Sequence, residues 1–287
     1  MHVSPSPLAS PTISPQSSLN ALREVQAQAR YLFHEDEFAQ RTGREPGGPA
    51  SRQALQRLAR SGRVVLAHKP AYWLIVPPEH EHYGAPPFDW WLDDLLRELE
   101  PDYYLALLSA ARYWGSAHYA LQVVQVAASR PRRPLMVGKV HVKFVVKQAL
   151  ADTPVSTEST MVAQLRVSTR EATVLDLIRH QSTVGGIESV ARVTCDLLPR
   201  MTSAGVLDAV RAQGQVPAAQ RLGFILEQLG GQQLAGTVRR WLRQQRRSVQ
   251  PLVTPRDSDA TQRYRGNLDW SIEYTERQFE LLQELRQ

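Results

Sequence analysis

The chain has 287 residues, a formal net charge of +6 and a sequence pI near 9.7. That length admits two domains, each with its own core. The basic balance favours a polyanionic partner without saying whether that is nucleic acid, an acidic protein or a lipid surface. The single cysteine, Cys195, excludes an intrachain disulfide and a zinc-ribbon cluster; it reads as a small buried apolar residue and fits a reducing cytoplasm.

Residues 1–18, MHVSPSPLASPTISPQSS, are a Ser/Pro tract with neither a basic n-region nor a continuous apolar core. The tract reads as a disordered leader, not as a secretory signal. No membrane span is expected either. The most apolar region, Tyr103–Ala128, is interrupted by Arg112, Gly115, Ser116, His118, Gln122 and Gln125.

Residues 19–80 carry the pattern of a winged helix-turn-helix DNA-binding domain. Leu19–Arg30 predicts a first helix with Leu22, Val25 and Ala29 inward, and His34–Arg41 a second with Phe38 and Ala39 apolar. Thr42-Gly43 and Pro46–Pro49 then break the chain. A third helix is predicted from Ser51, as N-cap, to Ser61, with Gly62 ending it. Ala54, Leu55, Leu58 and Ala59 fall on one face, while Gln53, Gln56, Arg57 and Arg60 fall on the other. Two β-type runs follow, Arg63–Ala67 and Tyr72–Val76, joined by His68–Pro70. In such a domain the helix reads base edges in the major groove and the hairpin wing lies on the phosphates. The candidate DNA-binding residues are Ser51, Arg52, Gln53, Gln56, Arg57, Arg60 and Lys69. A solvated helix face is the plainer alternative for the arginines and glutamines; the upstream helix, helix, Gly-rich turn order favours DNA.

Residues 81–287 read as a larger α+β domain, reached through a Pro/Gly linker at Pro77–Pro87. Helices are predicted at Trp90–Glu100 and, apolar nearly all round, Tyr103–Trp114; strands at Leu121–Ala127, within Gly138–Ala149, and at Met161–Val167. Lys139, His141, Lys143, Val145 and Lys147 would give the second of these strands a mostly basic face. Ser168–Arg179 reads as a helix with a Ser168/Glu171 capping box. Further helices are expected at Ile187–Leu198, Ser203–Gln213, Val216–Gly230 and Leu234–Arg247. Arg256–Gly266 reads as a polar loop, Leu268–Tyr274 as the last strand and Thr275–Arg286 as a terminal helix. Arg239, Arg240, Arg243, Arg246 and Arg247 would share one side of the Leu234–Arg247 helix. That set is a candidate phosphate- or partner-binding face, with carboxylate pairing as the alternative.

Catalytic signatures are thin, and no enzyme activity, cofactor or metal is expected. There is no P-loop, HExxH or GxSxG. Pro101-Asp102 resembles the opening of a PD-(D/E)xK nuclease site. The residues two before Lys139, Lys143 and Lys147 are Val137, His141 and Val145, so the acid that site needs is missing. Gly115-Ser116 resembles the start of a nucleotidyltransferase signature, yet no paired acids follow. His80-Glu81-His82 lacks a distant partner ligand. Glu35-Asp36-Glu37 fits helix N-terminal charge, and Asp257-Ser258-Asp259 a polar loop.

Taken together, residues 20–280 resemble the AbiEi family of antitoxins and transcriptional regulators from type IV toxin–antitoxin (abortive-infection) systems. The resemblance lies in the winged-helix region, YLALLSAARYWG (104–115), STREATVLDLIRH (168–180), RLGFILEQLG (221–230) and Asn267-Leu268-Asp269-Trp270. It implies a cytoplasmic protein that represses its own operon at promoter inverted repeats. It also implies that the protein counteracts a nucleotidyltransferase-like toxin through its C-terminal domain, without a required stable complex. The Ser/Pro leader and the Arg-rich 239–247 segment depart from the family. A winged-helix-targeted nuclease, or another nucleic-acid enzyme, is the rival reading; a pure interaction protein is a second.

Overall fold

The computed structural model describes residues 17–100, 102–116, 123–253 and 263–286, and the chain forms two compact units of mixed α+β structure. The first unit runs past the linker expected near residue 80, to Leu95, and adds residues 135–140 and 160–163. The linker is itself structured, with 3-10 turns at Pro78–Tyr83 and Phe88–Trp90. Most of the expected leader lies outside the described residues, but its end does not. Ser17 caps the first helix by accepting from the Asn20 amide, and Ser18 is already helical.

In the first unit, α1 (Ser18–Ala27) buries Ala21, Leu22 and Val25. Ala29, expected inward, is exposed at φ 54°, because the chain has already left the helix. A short strand β1 (Leu32–His34), too brief to carry a period, leads into α2 (Glu35–Arg41). The third helix, α3, spans Pro49–Arg60 and starts earlier than expected. Gly48 is its N-cap and Pro49, whose fixed φ suits a first helical position, opens the helix. Ser51 is therefore not a cap; it sits inside the first turn, fully buried. At the other end Gly62 adopts φ +71°, and the Arg63 amide bonds back to the Leu58 carbonyl. Strands β2 (Val64–His68) and β3 (Tyr72–Ile75) form an antiparallel hairpin, and β1 completes a sheet ordered β1-β3-β2. Leu22, Val25, Phe33, Phe38, Leu55 and Ile75 are central to the core they enclose.

Helix α4 (Leu92–Leu99) begins in the first unit and ends in the second. The strands that follow are β4 (Tyr103–Leu105), β5 (Val123–Ala128), β6 (Leu135–Val137, counted with the first unit), β7 (Val140–Val146), β8 (Val155–Ser159) and β9 (Gln164–Ser168). The second unit's sheet runs β7-β5-β4-β9-β8. Tyr103–Leu105, expected to be helical, is instead an interior strand between β5 and β9, and α5 starts only at Leu107 and ends at Tyr113. A run that is apolar on every side has no period to separate strand from helix, and a central strand buries both faces.

Helix α6 (Arg170–Arg179) is buried from Glu171 to Ile178. Its cap is Thr169, not Ser168, which closes β9 and bonds the Thr173 hydroxyl at 2.7 Å. Glu171 accepts from the Thr202 amide at 2.7 Å and so makes no capping box. Around α6 lie α7 (Gly186–Leu197), α8 (Ser203–Gln213), α9 (Val216–Gln228) and α10 (Gln232–Leu242), near their predicted positions except for the shorter α10. A small sheet ordered β10-β12-β11 follows, from β10 (Gln250–Pro251), β11 (Tyr264–Asn267) and β12 (Ile272–Thr275), and then α11 (Glu276–Glu284). The expected single strand Leu268–Tyr274 is thus a turn plus β12. Of the expected Arg256–Gly266 loop, residues 256–262 lie outside the described residues and 264–266 are in β11. Cys195 is only partly buried and donates to the Leu285 carbonyl at 3.3 Å, because α11 covers one side of it.

Leu55 is fully buried and Leu58 nearly so, on the α3 face turned to the first core. Leu55→Ala should lower stability by about 2–5 kcal/mol through reduced burial and a residual cavity. Urea unfolding measures it; a decrease below about 0.5 kcal/mol, the range of surface substitutions, would contradict this packing.

Candidate nucleic-acid interface

The apolar spacing of α3 fixes which of its side chains meet water. Ala54, Leu55 and Leu58 are buried, so Arg52, Gln53, Gln56, Arg57 and Arg60 are all exposed. There is no acid on this helix. Ser51 does not belong with them: it is 0% exposed, and its Oγ is sealed inside without a hydrogen-bond partner. Lys69 is exposed in the turn between β2 and β3. Behind α3 the charges are neutralised locally. Glu37 accepts from Arg30 at 2.9 and 3.0 Å and from Arg41 at 2.9 and 3.2 Å. Burial alone would raise the Glu37 carboxyl; the two guanidiniums outweigh it and hold it below the usual carboxylate range. One acid does approach the exposed face: Glu35 Oε1 lies 3.7 Å from Arg52 Nε.

The arginines at 239–247 do not form one helical face, because α10 ends at Leu242. Only Arg239 and Arg240 are helical; Arg243 is the C-cap, and Arg246 and Arg247 follow beyond. Arg239 is committed to the fold. It donates to Glu227 at 2.5 Å, lies 3.8 Å from Asp269 and stacks 4.7 Å from the Trp270 ring centroid. Arg247 donates to the Asp269 carbonyl at 2.8 Å. Arg240, Arg243 and Arg246 remain exposed. Carboxylate pairing therefore accounts for Arg239, and the set divides.

The strand expected to present a basic face also divides. His141 and Lys143 are exposed, but Lys147 lies past the end of β7 and turns inward to 3% side-chain exposure. Its ammonium donates to Asp176 Oδ1 at 2.6 Å. The same carboxylate accepts from Gln213 Nε2 at 3.0 Å and from the Tyr104 hydroxyl at 2.9 Å. Burial pulls the lysine below its ordinary pKa, opposed by Asp176, and pushes the Tyr104 phenol well up. Burial likewise lowers the neighbouring His180 imidazole. The sequence did hold one signal for this network, an acid at Asp176 in the middle of the apolar run ATVLDLI.

Residues 104–228 match the family model for the AbiEi antitoxin C-terminal domain. The chain carries an AbiEi-like antitoxin domain. A crystal structure, that of the RV2827C protein from Mycobacterium tuberculosis, has a similar fold over 95% of this chain and 98% of its own, with a TM-score of 0.62 at 16% identity. No curated protein matches the chain.

The AbiEi domain contains the whole Lys147–Asp176–Tyr104–Gln213 network, whereas the 239–247 arginines lie beyond its match. Within it Ser116 donates to Asp196 at 2.5 Å, which accounts for that serine structurally. Pro101 and Asp257-Ser258-Asp259 lie outside the described residues, and Asp102 is exposed. Among the described residues no cluster of three or more His, Cys, Asp or Glu side chains could hold a metal ion, and no helix is long and apolar enough to cross a membrane.

Lys147→Met should leave the buried Asp176 carboxylate without its cation and cost about 3–5 kcal/mol. The check is chemical unfolding followed by circular dichroism. A decrease below about 1 kcal/mol, no more than an exposed pair contributes, would mean that the neutral donors alone hold Asp176.

Proposed function

We propose that the protein is a DNA-binding autorepressor and the antitoxin of a type IV toxin–antitoxin system, counteracting a nucleotidyltransferase-like toxin. One observation carries the DNA half. An exposed, acid-free helix face of Arg and Gln stands opposite the buried Leu55 and Leu58, with a hairpin bearing Lys69 downstream. Helix, helix, turn, helix and hairpin is the order of a winged helix-turn-helix, and on this reading α3 enters the major groove while the hairpin tip meets phosphate. The antitoxin half rests on the AbiEi domain. The double-stranded partner would be promoter inverted repeats. On this reading the toxin need not form a stable complex with the antitoxin.

Arg52, Gln53 and Gln56 lie nearer the N-terminus of α3 and take the base-reading role; Arg57, Arg60 and Lys69 take phosphates. Gln53→Ala should weaken promoter binding by about 1–3 kcal/mol and leave a scrambled duplex nearly unaffected. Arg57→Ala should weaken both alike. Fluorescence anisotropy at fixed salt separates them; promoter binding unchanged by either substitution would remove α3 as the recognition element. Equal weakening of both duplexes by both would favour a non-specific nucleic-acid enzyme.

The exposed Arg240, Arg243 and Arg246 are proposed as additional phosphate-binding side chains. Changing them to Gln should lower the log–log salt slope of DNA binding by about one unit for each phosphate no longer neutralised. An unchanged slope would assign them to a protein partner or to solvent.

A further inference from the structure

Glu35 is the first residue of α2 and is only 8% exposed, yet its Oε1 has no hydrogen-bond partner. A buried carboxylate oxygen left without a donor is costly, and such groups persist where something else requires them. The cation beside it is Arg52, whose side chain is 64% exposed on the first turns of α3. The approach is 3.7 Å and engages Nε. It is too long for a hydrogen bond, and a pair this exposed on one side contributes little stability. Its consequence is orientation. The contact engages Nε, so it leaves the two terminal nitrogens of the guanidinium to other acceptors. Gly47, in the turn before α3, adopts φ +66°, which favours glycine.

A guanidinium presented by its Nη1/Nη2 edge matches the O6 and N7 acceptors of guanine in the major groove. We propose that Arg52 reads one guanine per half-site and that Glu35 is the positioning residue that aims it. This deepens the DNA-binding reading given above and rests on it. Glu35 repels phosphate, so its presence beside a DNA-facing helix favours orientation over affinity. Holding the guanidinium in one pose disfavours the alternative in which Arg52 swings onto a backbone phosphate and carries no sequence information.

The test is selection of bound sequences from a random duplex library by the full chain, followed by affinities for the selected duplex and its single-base variants. The wild type should prefer guanine at one position of each half-site by at least about fivefold. Glu35→Gln removes the charge with little change of shape. It should lose the preference at that position, keep it elsewhere, and bind random DNA at least as well as the wild type. Arg52→Lys keeps the charge without the fork and should lose the same position alone. This second variant decides the matter if Glu35→Gln shows a lowered melting temperature. Guanine preference retained in Arg52→Lys, or in a folded Glu35→Gln, overturns the proposal while leaving the DNA-binding reading intact. A wild type that selects no sequence at all overturns both.

Discussion

The second unit depends on a charge that has no access to water. Asp176 sits in the middle of α6, and α6 is buried along almost its whole length. An isolated carboxylate there would be displaced towards solvent or protonated. Three donors from three other places in the chain prevent that: Lys147 after β7, Tyr104 in β4 and Gln213 at the end of α8. Taking both ions out of water costs about as much as their attraction returns, so the network is a weak source of net stability. Its effect is geometric. It draws β4, the chain after β7 and the end of α8 to one carboxylate on α6, and an arrangement that separates Lys147 from Asp176 strands a charge.

A second constraint of the same kind fixes the C-terminal part. Gly223 of α9 faces the Trp270 indole, and a Cβ there would fall 1.9 Å from the ring. Glycine costs helix stability, but here it lets the ring lie directly against the α9 backbone. The indole N–H donates to Glu227 at 2.7 Å, and the same glutamate takes Arg239, whose guanidinium stacks on the ring. Arg239 and Trp270 lie beyond the matched AbiEi segment, yet they are keyed to it through Glu227 and Gln220. Of the exposed arginines in this stretch, Arg247 is held by the Asp269 carbonyl, and Arg240, Arg243 and Arg246 are the ones this packing does not use.

The first unit solves a different problem, presenting polar side chains from a helix only 12 residues long. Leu55 and Leu58 commit one face to the core, and that commitment alone orients the opposite face. The Gly-rich turn before α3 and the glycine after it set the helix ends. The acids on α2 are consumed at the helix N-terminus and by Arg30 and Arg41. Glu35 is the exception, because it reaches across to the exposed side.

Side-chain spacing and turn chemistry settle the elements whose pattern has a period and a stop signal. The amphipathic stripe of α3, the hairpin after Gly62 and helices α7, α8, α9 and α11 follow from side-chain spacing and turn chemistry, so they were legible. The exposed α3 face was legible for the same reason, with Ser51 as the exception: Pro49 moved the helix start and carried that serine inside. Tertiary structure decided what spacing cannot encode. Tyr103–Leu105 has no period, and only its neighbours β5 and β9 make it a strand. Lys147 alternates correctly for a solvent face, but the strand stops one residue short and the side chain turns to a carboxylate 29 positions away. Arg239 reads as one of a row until Glu227 and Trp270 claim it. In each case a partner distant in sequence overrides local preference, because satisfying a buried charge or filling a core outweighs the few tenths of a kcal/mol that propensity supplies.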